Sequence, residues 1–259
     1  MIHLRNPGRK VTPSQIRSTY DTRKQTIDRE FHYWAYIAIR PLSFYVTVPF
    51  IRLGLSATAV TLLGALILFL GLLAIAISSN SFGLLVAGVV LVNIWYLFDF
   101  VDGNIARYNK EASKFGGFLD SLIGHFYHTL LPVCVGFALL NYEHGFMDLH
   151  EYALYIGLGM AFLTASRSAI SSKSKLEIND FGEPPADNQG NYSNKISLSM
   201  IAHAILSFQA PLLLVAVALN LHELWLFCYF LFSIVIWGAV ICFSLRSMKK
   251  EDLPKNNLT

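Results

Sequence analysis

Residues Ala57–Ser78 read ATAVTLLGALILFLGLLAIAIS. No charged residue interrupts the run, and it is too long for a strand. About 20 apolar residues suffice for a helix to cross the hydrocarbon core of a bilayer, and a helix satisfies its own backbone hydrogen bonds there. The stretch is therefore predicted to be a membrane-spanning helix. Working outward, five more stretches qualify: Phe82–Phe98, Phe118–Leu140, Tyr152–Ser172, Ser197–Leu219 and Leu224–Leu245. The first of these is short, but the chain stays helix-compatible through Arg107, so that helix is expected to continue beyond the lipid.

Composition points the same way. Of 259 residues, 54% are hydrophobic and 14% charged, against about 25% charged in an ordinary soluble domain. Disorder, coiled coil and a disulfide scaffold are excluded. Cys134, Cys228 and Cys242 lie in apolar runs and read as small buried hydrophobes. No cleavable signal peptide is expected, because the first long apolar run begins near residue 57.

The 20 Lys and Arg are distributed unevenly. They precede the first span, lie between the second and third (Arg107, Lys110, Lys114), close or follow the fourth (Arg167, Lys173, Lys175, Lys195), and follow the sixth. The other three connections carry none. By the positive-inside rule this places both termini in the cytoplasm and supports an even count of six spans. The fold expected is an all-α integral membrane protein with a 1–56 N-terminal segment, a 57–245 six-helix membrane domain and a 246–259 tail. The location expected is a bacterial inner membrane.

The first 56 residues do not read as a span, since Arg40 and Arg52 interrupt the apolar run and Pro41 breaks it. Aromatics beside basic residues suit an interfacial amphipathic helix on an anionic leaflet. A buried cytoplasmic cap fits equally. The Gly/Pro/Asn/Asp-rich stretch between Ser172 and Asn194 reads as an exposed connection.

Carboxylates in or beside spans are costly and are functional candidates. Here they gather at the ends of two consecutive helices: Asp99-Phe-Val-Asp102-Gly103-Asn-Ile-Ala106-Arg107, then Gly116-Gly-Phe-Leu-Asp120-Ser-Leu-Ile-Gly124. Asp99 and Asp102 are three apart and share a helix face, which Ala106 extends. Gly103 costs about 1 kcal/mol in mid-helix relative to Ala, which calls for a reason such as close approach of a ligand. Gly116, Asp120 and Gly124 form a second stripe. If the stripes face each other, three hard oxygen donors converge, and a divalent cation such as Mg2+ bridging them to substrate phosphates is the simplest neutraliser. An Asp–Arg107 network at the membrane surface fits the same spacing.

These residues resemble the CDP-alcohol phosphotransferases, whose pattern is D-x2-D-G-x2-A-R-x8-G-x3-D-x3-D. Asp99, Asp102, Gly103, Ala106, Arg107, Gly116 and Asp120 meet it, across the second and third of six spans. Ahead of them, Ser56-Ala-Thr-Ala-Val-Thr61-Leu-Leu-Gly64 looks like a second family stretch, with Ala57 and Thr58 in place of its Pro and Asn and Thr61 retained. The resemblance implies a CDP-linked donor bound at the cytoplasmic side. It implies one or two Mg2+ or Mn2+ ions held by Asp99, Asp102 and Asp120. Gly103, Ala106, Gly116 and Thr61 would shape the nucleotide site, and Arg107 would hold the donor. An acceptor alcohol or lipid attacks and CMP leaves. A homodimer among membrane lipids is also implied.

The chain departs from the pattern at its last Asp, which is Gly124 here. In the family that carboxylate is the proposed base. His125 is adjacent but about 100° round the helix, whereas His128 is one turn on, on the stripe of Asp120. Either would serve as a base near neutral pH, or as a packing residue. Alternatively no dedicated base is needed, or the chain is a degenerate nucleotide- or lipid-binding protein on the same scaffold.

Arg167, Lys173 and Lys175 form a cluster suited to an anionic acceptor or headgroup phosphate, or a plain basic flank. His203 and Gln209 would line a cavity or satisfy each other. Trp95, Tyr96, Trp225 and Trp237 suit interface belts or packing. No zinc site, nucleophile triad, Walker loop or nucleic-acid module is evident. A transporter with an ion path is less consistent, because the acidic residues sit toward one face.

Overall fold

The computed structural model describes residues 10–31, 33–79, 81–140, 149–173, 205 and 208–251. Among these the chain is helical, with no strand. Three helices precede the first span: α1 Pro13–Arg17, α2 Thr22–Phe31 and α3 Arg40–Arg52, with a π-helical turn Ala35–Ile39 leading into α3. Then come α4 Ala57–Ala76, α5 Phe82–Asn109, α6 Lys114–Leu139, α7 His150–Lys173, α8 Gln209–Ala218 and α9 His222–Glu251.

Five helices are long and apolar enough to cross a membrane: α4, α5, α6, α7 and α9. The chain is an integral membrane protein built from helices. Of the predicted fifth span Ser197–Leu219, most of the first half, His203 included, lies outside the described residues, and α8 is its described part. Residues 174–194 of the predicted connection lie outside them as well.

Helix α4 shows what makes this a membrane fold. Val60, Leu68, Leu72 and Ile75 are buried, while Leu62, Leu66, Leu70 and Leu73 are exposed on the other side. A helix apolar all round has lipid as its second solvent. Association in lipid relies on close backbone approach at small residues. Gly71 of α4 and Gly88 of α5 provide it: a Cβ on Gly88 would stand 2.8 Å from the Gly71 carbonyl oxygen. Gly136 of α6 and Gly157 of α7 do the same for the next pair. Cys228 and Cys242 are exposed on α9 rather than buried, and Cys134 is partly exposed. Apolar composition alone does not separate a core-facing position from a lipid-facing one.

The N-terminal segment packs against the end of the bundle that carries the acidic residues. Val11, Ile16, Tyr20, Phe44, Val48 and Ile51 form one apolar cluster with Val60 of α4 and Val101 and Ile105 of α5. Leu42 and Tyr45 on the other side of α3 stay exposed. Pro41 does not break the helix as expected. It falls in the first turn of α3, where a missing N–H costs nothing, and the π turn carries the chain into it, Arg40 N–H bonding to the Ala35 carbonyl.

A buried ion pair locks this segment. Arg40 Nε donates to Asp28 Oδ2 at 2.9 Å, and the Tyr20 hydroxyl donates to the same oxygen at 2.7 Å. Burial pushes the Asp28 carboxyl up, but the charges of Arg40 and Lys24 and the Tyr20 hydrogen bond outweigh it and hold the group below its ordinary range. Burial, then the Asp28 contact, pushes Tyr20 above its ordinary range, so it remains a donor. The Arg40 guanidinium also lies 4.4 Å over the ring of Phe100, the neighbour of Asp99.

Candidate active site

As expected, helix α5 continues beyond the predicted span end at Phe98, reaching Asn109. Its extra turns carry Asp99, Asp102 and Arg107. It stops at Lys110, in the left-handed region at φ 55°, with Glu111 N–H bonding the Ala106 carbonyl at 2.9 Å in a Schellman-like end. Glu111 then accepts from the Ala57 N–H at 2.8 Å, tying the start of α4 to the end of α5. Ser113 caps α6 by accepting from Gly116 N–H at 3.0 Å. The tight connection brings Asp120 of α6 back beside α5.

Asp99, Asp102 and Asp120 line one cavity of about 180 Å³, together with Val60, Thr61 and Trp95. Asp99 and Asp120 are close enough for their charges to interact. Asp102 is buried, at 7% exposure, and its Oδ2 lies 2.6 Å from Thr61 Oγ1. That oxygen is also 3.0 Å from the Ala57 carbonyl. The single hydroxyl proton goes to the carboxylate, the stronger acceptor. Carboxylates as close as Asp99 and Asp120 do not both stay ionised without a neighbouring positive charge; otherwise one keeps its proton. The donor set is hard oxygen, the chemistry of Mg2+ or Mn2+, so the residues fit such an ion. Among the described residues, no three His, Cys, Asp or Glu side chains stand together closely enough to hold a metal ion by themselves.

Gly103 makes room for a side chain of its own helix. A Cβ there would meet Arg107 Nη1 at 3.3 Å and Nη2 at 3.5 Å. Its missing side chain makes room for the Arg107 guanidinium, one turn on. Arg107 Nη2 donates to Asn104 Oδ1 at 2.8 Å, while its buried Nε has no hydrogen-bond partner among the described residues. Ala106 and Gly116 line neither this cavity nor the one described next. Their observed parts are backbone ones, in the end of α5 and the start of α6.

A second cavity, of about 420 Å³, lies among α6, α7, α8 and α9 and is lined by His128, Arg167, Gln209 and Tyr229, among others. The structure thus places His128 here and not among the carboxylates. Its Nδ1 lies 2.9 Å from Gln209 Oε1, so Nδ1 carries the proton and Nε2 the lone pair. An aromatic chain connects the two cavities: Trp95 packs on Tyr127 and Tyr127 on His128, each with ring centroids 4.6 Å apart. His125 is exposed and lines neither cavity. Its Nδ1 lies 2.7 Å from the Ser121 carbonyl and its Nε2 3.0 Å from Ser168 Oγ. Both ring nitrogens are therefore engaged, Nδ1 within α6 and Nε2 across to α7. Nothing lies within 4 Å of where a Cβ on Gly124 would sit, so the space of the missing carboxylate is open. Lys173 ends α7, and its side chain is outside the described residues.

Sequence reading missed Asn104, Glu111 and the Asp28–Arg40 pair. Asn104 had a signal, a polar side chain buried to 1% exposure inside the motif itself. Of the two readings for Gln209, lining a cavity is the one observed, and there its side chain meets His128; His203 lies outside the described residues.

The sequence model of the CDP-alcohol phosphatidyltransferases matches residues 55–245. No individual curated protein matches the chain.

Proposed function

The chain belongs to the CDP-alcohol phosphatidyltransferase family, membrane transferases of substituted phosphate groups, and on that premise we propose that it moves such a group from a CDP-linked donor to an acceptor alcohol with release of CMP. The observation that carries this reading is the cavity shared by Asp99, Asp102 and Asp120 from two consecutive spans. In the reaction an acceptor oxygen forms a bond to the phosphorus outside the cytidine moiety, the bond from that phosphorus to the CMP oxygen breaks, and the hydroxyl proton is lost.

Asp99, Asp102 and Asp120 would hold Mg2+ or Mn2+. Such an ion neutralises phosphate charge and fixes the line of attack. Thr61 holds the Asp102 carboxylate in place, and Arg107 supplies fixed positive charge to the donor. The diphosphate would lie against this acidic pocket, on the side where Asp120 is exposed.

The second cavity takes the polar part of the acceptor. Arg167 suits a negative group there, and His128 and Gln209 suit hydroxyls. His128 Nε2 is the proton acceptor of this set. The Lys and Arg distribution supports a cytoplasmic site with both termini on that side.

The test is purified protein in detergent with Mg2+, given CDP-diacylglycerol or, separately, a CDP-linked small alcohol, each with candidate acceptors. CMP release with a new phosphodiester product supports the reading. Donor binding with no CMP from any pair would instead favour a nucleotide-binding protein on this scaffold, for which the Gly124 position is the specific reason.

A further inference from the structure

Arg107 is held from outside the family-matched region. Its Nη2 donates to Asn104 Oδ1 at 2.8 Å. The amide nitrogen of Asn104 donates to Ser43 Oγ at 2.9 Å and to Thr47 Oγ1 at 3.1 Å. Ser43 and Thr47 belong to α3, ahead of residues 55–245. All three positions are buried, Ser43 and Thr47 at 0% exposure.

The direction of every bond is fixed by what each hydroxyl has already spent. Ser43 Oγ donates its proton to the Arg40 carbonyl at 2.8 Å, and Thr47 Oγ1 donates to the Ser43 carbonyl at 2.6 Å. Each hydroxyl has a single proton, so toward Asn104 both can only accept. They therefore demand the NH2 edge of the amide. That turns the carbonyl edge toward α5's own next turn, where the only fitting partner is a donor, the Arg107 guanidinium. Flipping the amide would set NH2 against guanidinium and oxygen against two lone pairs, at buried positions. Gly103 completes the arrangement by leaving room for the folded-back guanidinium.

We propose that Asn104, gripped by Ser43 and Thr47 of the N-terminal segment, is a positioning residue that sets the orientation of the Arg107 guanidinium toward the donor's phosphates. The N-terminal segment is then a working part of the donor site. This rests on the reading of Arg107 as a donor-binding group.

Two measurements separate the relay from that reading. Guanidinium NMR of 15N-arginine-labelled full-length protein in detergent reports whether Arg107 is held. Titration with CDP in Mg2+ reports whether holding it matters. Asn104→Ala is expected to remove the slowly exchanging Arg107 signal and to weaken CDP about tenfold, the scale of a hydrogen bond to a charged group. In an Arg107→Ala background the same substitution should change CDP affinity no further, because Asn104 acts through Arg107; a merely structural residue would add its own loss. Ser43→Ala/Thr47→Val, which leaves Asn104 and Arg107 in place, should move both readouts in the same direction, and it carries the test if Asn104→Ala does not fold. An unchanged Arg107 signal in these variants, unchanged CDP affinity, or additive losses would overturn the proposal. A wild-type protein that holds Arg107 as described but does not bind CDP would overturn the donor reading and leave the relay standing.

Discussion

Thr61 Oγ1 of α4 stands 2.6 Å from Asp102 Oδ2 of α5, and this contact joins the weaker of the two family-like stretches to the stronger one. Thr61→Val keeps the shape and removes the donor. The Asp102 carboxylate then loses its one charge-assisted hydrogen bond from α4. CMP release should fall about tenfold or more, while Thr61→Ser, which keeps the hydroxyl, should retain most of the rate. Equal rates in the Val and Ser variants would show that the contact does not serve the reaction.

Removal of divalent ions follows from the Asp99–Asp120 approach. Interacting carboxylates favour a divalent cation beside substrate phosphates, so EDTA should stop CMP release and Mg2+ or Mn2+ should restore it. Asp120→Asn removes one negative charge from the cavity and is expected to lower the rate by at least about a hundredfold, on the scale of removing one electrostatic stabiliser. It should also shift the Mg2+ dependence to higher concentration. Full activity in EDTA would separate the carboxylate cavity from metal chemistry.

The spans were legible because lipid imposes a length and a composition that a sequence displays directly; α4 was placed at Ala57 and ends within two residues of its predicted limit. The acidic cavity was legible for a related reason, since spacings of three and four residues on one helix carry over into space. What crosses between distant segments was not. Arg40 reads as an interruption until Asp28 and Phe100 are seen around it. His128 shares a helical stripe with Asp120, yet its ring is held by Gln209, 81 positions along the chain. Helical periodicity fixes a face, but the neighbouring helices decide which cavity that face meets. Gly103 illustrates the same limit: the missing side chain was noticed, but its beneficiary, Arg107, was not.

The Asp28–Arg40 pair gives the N-terminal segment a pH dependence with a definite sign. The native Asp28 carboxyl lies below its ordinary range, so the unfolded chain takes up the proton first as pH falls. Its contribution to stability is fully present above the unfolded value, near pH 4, and is lost as pH falls through the native value. Asp28→Asn leaves Arg40 buried without its counter-charge and should cost about 3 kcal/mol near pH 7. Thermal unfolding in detergent should show the wild-type advantage intact from pH 7 to 5 and shrinking below about pH 4. An advantage constant down to pH 3 would mean that the pair does not set the stability of this segment.

Gly124→Asp tests what the open space on α6 is for. A Cβ there meets nothing within 4 Å, and the position is partly exposed, so the folded protein should tolerate the carboxylate with little change in melting temperature. Asp120 lies one turn away on the same stripe, and the added carboxylate restores the last acid of the family pattern beside the cavity. If the hydroxyl proton limits the rate, turnover should rise, by about tenfold or more given the usual scale of general-base catalysis, and the low-pH limb of the profile should come to follow a carboxylate. His128→Gln made in the same background separates the routes: a loss in the parent that disappears in the Gly124→Asp variant would show that His128 carries the proton in the natural protein. A fall in turnover with unchanged CDP affinity would show instead that the acceptor occupies the space beside Gly124, since an added side chain would then exclude it.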